Sequence, residues 1–259
     1  MSTNTVQWTE RDVECAAGVL GLASPEGTAL PTLTDEEITA LDGVQREQAV
    51  PTPWLSAQTA DRDVLCGVAL RGLLAKEWAY PVIFEGETEP SRLHATEEIT
   101  GTLALRRTSR QVASLERTVS TGKRWLFIYI HDDGTLLEEI DESGLHGFTV
   151  VSPDQSAQRL AAFADPNGAA AEESAPKAYT EAEFEAAGEA GLLAQTQAAS
   201  NMAVFQTDRG DVRTLTVYTA PDSVHVLTPE LRDGTLALSL REVSSASLEE
   251  ALSGLLTAQ

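Results

Sequence analysis

The N-terminal part of the chain places apolar side chains at helical intervals. Residues 9–22, 34–44 and 62–78 each carry aliphatic side chains three or four positions apart, the spacing of an amphipathic helix. Thr34 followed by Glu37 forms the capping-box pattern that opens many helices. This part is therefore predicted to be helical before any clear strand begins. The acidic segment 85–98, which glycine and proline interrupt, is predicted to be a loop.

The pattern changes to short apolar runs in the next part of the chain. Strand candidates bounded by polar links lie at residues 102–107, 112–118, 125–130, 135–140 and 147–151. Asp133-Gly134 and Ser143-Gly144 supply turns, and such short links require antiparallel pairing. The continuous apolar run at 125–130 suits a central strand, so helices must cover at least one face of the sheet. A helix is predicted to follow at residues 154–164.

A small, polar stretch at residues 167–178 is interpreted as a linker. Beyond it, Thr180 and Glu183 repeat the capping-box pattern and open a helix that extends to about residue 199. Further strands are predicted at 202–207, 213–219, 223–227 and 235–240, with a last helix at 247–256. The predicted organisation is a mainly helical segment at 1–100, a first antiparallel meander with its helix at 101–166, the linker at 167–178, and a helix, second meander and C-terminal helix at 179–259.

Residues 123–163 and 212–255 share an order of elements. Each has a strand that ends near a tyrosine (Tyr129 or Tyr218), an aspartate-containing turn, two further strands and a helix opened by serine. This internal repeat predicts an α+β fold of two pseudo-repeated halves, each an antiparallel β-meander with helices packed on it. The two halves are expected to pair about a pseudo-twofold axis.

Charge narrows the choice of partners. The chain carries 40 acidic and 18 basic residues, a formal net charge of −22. That field repels nucleic-acid phosphates and anionic lipid headgroups, so neither nucleic acid nor a membrane surface is predicted as a partner. Lysine supplies only Lys76, Lys123 and Lys177, and this arginine- and alanine-rich usage is typical of a GC-rich, actinobacterial genome.

The sequence favours a cytoplasmic location. The first residues carry acidic side chains and no apolar core of a signal peptide, and no apolar run is long enough to span a bilayer. Cys15 and Cys66 lie in alanine- and leucine-rich helical contexts, where a free thiol usually behaves as a small buried apolar group.

The order of elements, in an acidic, alanine- and arginine-rich chain of this length, resembles the EspG family. These are cytosolic chaperones of type VII (ESX) secretion that hold helical PE-PPE substrates. The resemblance covers most of the chain and rests on the meander-plus-helix pattern of residues 123–163 and 212–255. It implies a helical secretion substrate as the partner. No motif here anchors the family's substrate-binding loops, so no binding residue is carried over.

Candidate chemistry is sparse. His131, Asp132 and Asp133 stand at a predicted hairpin tip and could supply metal ligands or an acid/base pair, with His146 after the facing turn. A solvated turn explains the same residues better, because no HxH or HExxH spacing accompanies them.

Two adjacent glutamates, Glu138 and Glu139, point to opposite faces of one strand and are interpreted as edge charges rather than a catalytic pair. The sequence contains no GxSxG, GxGxxG or Walker motif. No catalytic, cofactor-binding or metal-binding residue is therefore predicted, and no cofactor.

Two alternatives stay open at this point. Helices followed by a hairpin also describe a winged-helix transcriptional regulator, whose recognition helix would be residues 61–77. That segment mixes both signs of charge, a poor match to a DNA-binding surface; its charged residues are Asp61, Arg62, Asp63, Arg71, Lys76 and Glu77. The other alternative is an enzyme that uses His131 and Asp133.

The favoured prediction is a non-enzymatic, cytosolic protein-binding adaptor or chaperone, with type VII secretion as its context. Its paired sheets would present a surface to a protein partner. Self-association into a homodimer is left open by the sequence.

Overall fold

A computed structural model of the chain describes residues 9–83, 92–206, 212–232 and 235–257. Its helices are α1 (Glu10–Leu20), α2 (Asp35–Asp42), α3 (Pro53–Ser56), α4 (Arg62–Ala75), α5 (Glu97–Thr108), α6 (Ser156–Ala164), α7 (Glu181–Glu189) and α8 (Ser245–Thr257). Its strands are β1 (Thr28–Ala29), β2 (Leu33–Thr34), β3 (Ala79–Val82), β4 (Arg92–Ala95), β5 (Gln111–Val119), β6 (Gly122–Ile130), β7 (Thr135–Ile140), β8 (Leu145–Val151), β9 (Lys177–Tyr179), β10 (Ala198–Gln206), β11 (Val212–Thr219), β12 (Val224–Arg232) and β13 (Thr235–Glu242). The predicted α+β class is confirmed.

The chain forms two compact units that interleave along the sequence. Unit 1 comprises Met1–Ser109 and His131–Ser152, and unit 2 comprises Arg110–Ile130 and Pro153–Gln259. The boundaries drawn from the sequence are consecutive instead of interleaved, and they stay a prediction.

Unit 1 combines α1–α5 with short antiparallel strands. β8 is the central strand of its sheet, since β7 pairs along one edge and the two-residue strands β1 and β2 pair along the other. β3 and β4 form a separate two-stranded hairpin. Thr34 closes β2 and caps α2 in the predicted box with Glu37. The strand β2 therefore delivers the start of α2 directly beside β8.

Unit 2 is built on a seven-stranded antiparallel sheet in the order β6-β5-β10-β11-β12-β13-β9. β5, at the predicted strand 112–118, pairs with β10, at the predicted strand 202–207, from Gln111↔Gln206 to Val119↔Ala198. Leu115 pairs with Met202 at the centre of this ladder. Every antiparallel strand pair has a local twofold axis at its centre, so this pairing does not test the pseudo-twofold arrangement of the two halves, which stays a prediction.

One face of the unit 2 sheet forms its core. Side chains on alternate positions of β5, β10 and β11 point to this face and are almost fully buried: Ala113, Leu115, Met202, Val204, Leu215 and Val217. α6 packs on β5 and β6 and contacts α8, burying Leu160 and Leu252. Arg117 and Thr219 both donate to the carbonyl oxygen of Ala164, at 3.4 and 3.0 Å, and so hold the end of α6 on this face.

The prediction of a strand at residues 102–107 was wrong, because these residues belong to α5. Glu97 and Glu98 lie in the first turn of α5 and Arg106 and Arg107 in its last, which is the charge order that the helix dipole favours. Residues 101–105 are all buried, so this helix is covered on every side. A short apolar run is expected for such a helix as well as for a strand, which explains the error.

Two other expectations in the N-terminal segment need correction. The predicted loop at 85–98 contains β4 and the start of α5, while residues 84–91 lie outside the described residues. The apolar side predicted for α4 included Val64 and Val68, yet these are 61% and 62% exposed, and its buried residues are Cys66 and Leu73. Within the described residues, no helix is both long and apolar enough to cross a bilayer.

Gly101 sets the distance between α1 and α5. A Cβ atom at this position would lie 2.7 Å from Cγ2 of Val19 and would overlap the backbone of Cys15. We therefore expect Gly101→Ala to destabilise unit 1 by about 2 kcal/mol through overpacking, measured by urea unfolding. Gly18→Ala is the matched control, since no atom lies within 4 Å of its added Cβ. It should be neutral or stabilising by up to about 1 kcal/mol, and equal losses from both variants would contradict this view.

Candidate functional site

His131, the candidate for metal or acid/base chemistry at the hairpin tip, is held by a hydrogen bond to α5. His131 directly follows β6, is half-buried, and donates from Nε2 to the carbonyl oxygen of Leu105 at 3.2 Å. Burial lowers its pKa. Asp132 and Asp133 are exposed. Among the residues that the structure describes, no three His, Cys, Asp or Glu side chains are arranged to hold a metal ion.

His146, in contrast, lies at the centre of a buried hydrogen-bond chain in unit 1. Its ring has no solvent exposure, donates from Nδ1 to Oε1 of Glu138 at 2.6 Å, and donates from Nε2 to Oδ1 of Asp35 at 2.7 Å. Both ring nitrogens face carboxylate oxygens, which only accept when ionised, so the ring is the doubly protonated imidazolium.

The chain of charges continues from Glu138 into α5. Oε2 of Glu138 accepts from Nε of Arg106 at 2.8 Å, and Asp42 pairs with Arg106 at 3.7 Å and with Arg107. Three acidic and three basic groups thus alternate with no net charge: Asp35, His146, Glu138, Arg106, Asp42 and Arg107. We call these six residues the charge network.

The network shifts the pKa values of its central pair in opposite directions. Burial tends to raise the pKa of Glu138, but the positive charge of Arg106 and the hydrogen bond from His146 outweigh it and lower the value to about 2. Burial tends to lower the pKa of His146, but its hydrogen bonds to Asp35 and Glu138 outweigh that effect and raise it. In this central pair, each charge is stabilised by its neighbours of opposite sign. At Asp42, by contrast, burial raises the pKa more than Arg107 and Arg106 lower it.

The network joins α2, α3 and α5 to the strands β7 and β8. Asp35 and Asp42 begin and end α2, and Oδ2 of Asp35 also accepts from the backbone N–H of Leu55 in α3 at 2.9 Å. Gly144 lies against the same carboxylate with φ at 72°, and a Cβ there would lie 2.6 Å from Oδ2 of Asp35. The residue has to be glycine both for its backbone conformation and for this contact.

This arrangement holds the fold together and is inaccessible to a substrate. Neither nitrogen of His146 is free to accept a proton or bind a metal, and no part of its side chain reaches solvent. Glu138 is fully buried, so its interpretation as an edge charge was wrong, whereas Glu139 is exposed. The sequence did contain one indication that Glu138 is buried. Glu138 lies two residues from Leu136 and from Ile140, so it shares a strand face with these two buried side chains.

A different surface, on unit 2, has the properties of a binding site. On the sheet face opposite α6 and α8, α7 covers one end by packing Phe184 and Ala187 against Tyr179, Leu227 and Leu240. The central strands β5, β10 and β11 keep this face exposed or half-buried. We call its side chains the open face: Val112, Ser114, Glu116, Asn201, Ala203, Phe205, Val212, Thr214 and Thr216.

The open face carries an apolar row at one end. Phe205 pairs with Val112 on one side and with Val212 on the other, so the three side chains stand next to each other across three strands. Phe205 is 44% exposed and Val212 is 53% exposed. An exposed aromatic side chain flanked by aliphatic ones is the kind of anchor that protein interfaces use.

The rest of the open face is almost free of charge. Among its nine described side chains, Glu116 is the only ionisable one; it accepts from Nζ of Lys123 at 2.6 Å and from the indole N–H of Trp125 at 2.9 Å. The hydrogen bond from Lys123 contributes most to lowering the pKa of Glu116. Thr216 donates to the amide oxygen of Asn201 at 3.0 Å. In a chain with a net charge of −22, this face is a locally neutral surface of small side chains.

Comparison with known proteins relates the chain to others only at the level of the fold. No protein-family model matches the sequence, and no curated protein matches it. A solved structure does match: the type VII secretion system chaperone EspG5 of Mycobacterium tuberculosis in complex with a PE25-PPE41 dimer. The TM-score is 0.53 at 9% sequence identity, over 88% of this chain and 96% of the matched chain. The chain therefore has an EspG-like fold.

The charge network predicts a large effect from a nearly isosteric substitution. Glu138→Gln removes one negative charge and leaves His146 and Arg106 without their shared partner. We expect it to lower the free energy of unfolding by about 3 kcal/mol, measured by urea titration of far-UV circular dichroism. Glu139→Gln, at the exposed neighbouring position, is the control and should change it by less than about 0.5 kcal/mol. Similar effects from the two variants would contradict a structural role of the network.

The same pair predicts how stability depends on pH. Glu138 has a lowered pKa, so its contribution is present above its unfolded value of 4.5 and is lost as the pH falls toward about 2. His146 has a raised pKa, so its contribution is present below its unfolded value of 6.5 and is lost as the pH rises through the folded value. The difference in unfolding free energy between wild type and Glu138→Gln should therefore be largest between these two unfolded values and shrink in acid. A difference that grows below pH 4 would overturn the assignment.

Proposed function

We propose that this protein is a cytoplasmic, non-enzymatic chaperone or adaptor of the EspG type, which holds a helical protein substrate of type VII secretion on its open face. The observation that carries the proposal is a neutral, partly apolar sheet face in an EspG-like fold. The similar solved chaperone is in complex with a PE25-PPE41 dimer, which supports a protein as the partner.

The shape and chemistry of the open face favour a helix as the bound element. α7 already packs on the same face through Phe184 and Ala187, so this sheet accepts a helix by burying one aromatic and one small side chain. The adjacent open strands offer Phe205 and Val212 as anchors and small hydroxyl and amide side chains elsewhere. Packing of the apolar side of an amphipathic helix on a partly apolar surface is a common mode of recognition.

The structure gives less support to the two alternatives, a winged-helix transcriptional regulator and an enzyme that uses His131 and Asp133. In α4, the recognition helix of the winged-helix hypothesis, the outward positions include Val64 and Val68, and Lys76 pairs with Glu37 at 3.2 Å. A DNA-binding helix needs basic groups free to meet phosphates. In the enzyme hypothesis, the ring of His131 is committed to the carbonyl oxygen of Leu105.

The proposal predicts which substitutions abolish capture of a partner. The tagged chain, purified from its native host, should recover a helical PE-PPE-type secretion substrate that mass spectrometry identifies. Phe205→Asp combined with Val212→Asp should lower that recovery at least about tenfold, since it places charge in the centre of the apolar row. Because Phe205 and Val212 pair directly across β10 and β11, the two aspartates repel each other, so the unfolding free energy of the variant is measured beside its recovery to show that it is still folded.

Val13→Asp is the matched control, because Val13 is 62% exposed on α1 and lies outside the open face. It should leave recovery unchanged. The proposed function fails if the wild type recovers no such substrate. The assignment of the open face fails if the double variant recovers as much substrate as the wild type.

A further inference from the structure

The open face has the width of a single helix. It spans the three strands β5, β10 and β11, and neighbouring strands lie about 4.8 Å apart, so its width matches the diameter of a helix, about 10 Å. On one side of it, α7 already covers the sheet. On the other side, two β6 side chains that point to the same face, Phe127 and Tyr129, are buried. A helix bound there therefore lies along the strands and not across them.

The side chains of the open face form three rows across the strands. The first is the apolar row that contains Phe205. The second row has only small side chains, and the third carries the carboxylate and the amide of this face. We call them the small row (Ser114, Ala203 and Thr214) and the polar row (Glu116, Asn201 and Thr216). Because the small row lets the backbone of a partner come close, one bound helix can reach both outer rows.

The polar row has hydrogen-bonding groups that the chain itself does not use. The amide oxygen of Asn201 accepts from Thr216, while its amide N–H₂ group donates to none of the described residues. An ionised carboxylate can accept about four hydrogen bonds, and that of Glu116 accepts from Lys123 and from Trp125. Donor groups on Asn201 and acceptor positions on Glu116 therefore remain for a partner.

A carboxamide is the side-chain group that suits this row. Its N–H₂ group can donate to Glu116, and its oxygen can accept from the N–H₂ group of Asn201. A lysine or arginine of the partner would meet Lys123, whose Nζ lies 2.6 Å from Glu116, and a glutamate would meet the carboxylate of Glu116 itself. Like charges brought together at an interface repel strongly. The polar row therefore favours a neutral amide over a charge of either sign.

The distance between the apolar row and the polar row sets the spacing on the partner. Val112 and Glu116, in these two rows, are four residues apart on β5, which is about 13 Å along the strand. A helix rises about 1.5 Å per residue, so side chains eight positions apart are about 12 Å apart and lie on one side of it. A helix on β10 thus meets the two rows with residues eight positions apart.

We propose that the open face selects a helix with a large apolar residue at one position and a glutamine or asparagine eight positions away. The apolar residue packs beside Phe205, and the amide binds Glu116 and Asn201. This selection rests on the proposed function, in which the open face holds a helix. Glu116 and Asn201 determine specificity, whereas the apolar row supplies most of the affinity.

A labelled synthetic peptide tests this selection on the purified full chain. The probe is an alanine-rich helix of about 18 residues that carries leucine and glutamine eight positions apart, and fluorescence anisotropy measures its binding. The wild type should bind it with a Kd of roughly 10 to 100 µM. Replacing the glutamine by glutamate, or moving it two positions closer to the leucine and off the shared side of the helix, should weaken binding at least about tenfold.

Rescue by a matching variant separates recognition of the amide from general packing. Glu116→Gln should bind the glutamate peptide about as tightly as the wild type binds the glutamine peptide, because the repulsion is gone. Ala203→Leu should weaken binding of the glutamine peptide at least about tenfold, since it lifts the helix from both outer rows. Ala17→Leu, at an exposed position of α1, is its control and should leave binding unchanged. Urea unfolding shows whether each variant is folded.

These measurements are separate from capture in the native host, because the peptide is synthetic. Recovery of no secretion substrate refutes the proposed function, whatever the peptides show. The selection itself is overturned if the wild type does not bind the glutamine peptide, if it binds the glutamate or the shifted peptide equally well, or if Glu116→Gln leaves the preference between glutamine and glutamate unchanged.

Discussion

The charge network is the constraint on which unit 1 depends. Its strands are short, with β1 and β2 only two residues each, and α2 has eight residues, too few for a helix to be stable by itself. The six alternating charges tie both ends of α2 to β7, β8 and α5. A buried charge without its partner costs several kcal/mol, so arrangements of these elements that separate the partners are strongly disfavoured. The network therefore selects one packing of elements whose hydrogen-bonded ladders are short.

Unit 2 is held by different forces and accordingly leaves a different surface. Its sheet has long antiparallel ladders, and apolar side chains on one face pack against α6 and α8. Because that face and the ladders stabilise the sheet, the central part of the other face can remain uncovered. Serine, threonine and asparagine keep the open face compatible with water, while Phe205 and Val212 give it the apolar contacts that a partner can bury. An uncovered face of this kind is a natural place for binding in a protein with few reactive side chains.

The similarity to a solved chaperone at 9% identity shows that very different sequences can form such a fold. Alternation of apolar side chains along strands, turn residues between them and capped helices can all be met by many sequences. The surfaces that face partners are under separate constraints, and at this identity they have to be derived from the chain itself. The open face is the surface proposed to bind a partner, and it is locally neutral although the chain as a whole is strongly acidic.

Sequence alone determined the features that depend on neighbours a few residues apart. The boxes at Thr34 and Thr180 and the strands β5 to β8 and β10 to β13 were predictable because capping and strand alternation are local effects. The length of the helix after Thr180 was predicted wrongly, since α7 ends at Glu189 and β10 begins at Ala198, where the sequence suggested a helix to about residue 199. Residues 102–107 were predicted wrongly because a short apolar run suits a strand and a buried helix equally. In the charge network, Arg106 and Glu138 are 32 residues apart in the sequence, and Asp35 and His146 are 111 apart. No local sequence pattern predicts such pairs. Only the tertiary structure decided that His146 is a buried cation, that Val64 and Val68 face solvent, and that one face of the unit 2 sheet is open, because burial is set by which distant segments come together.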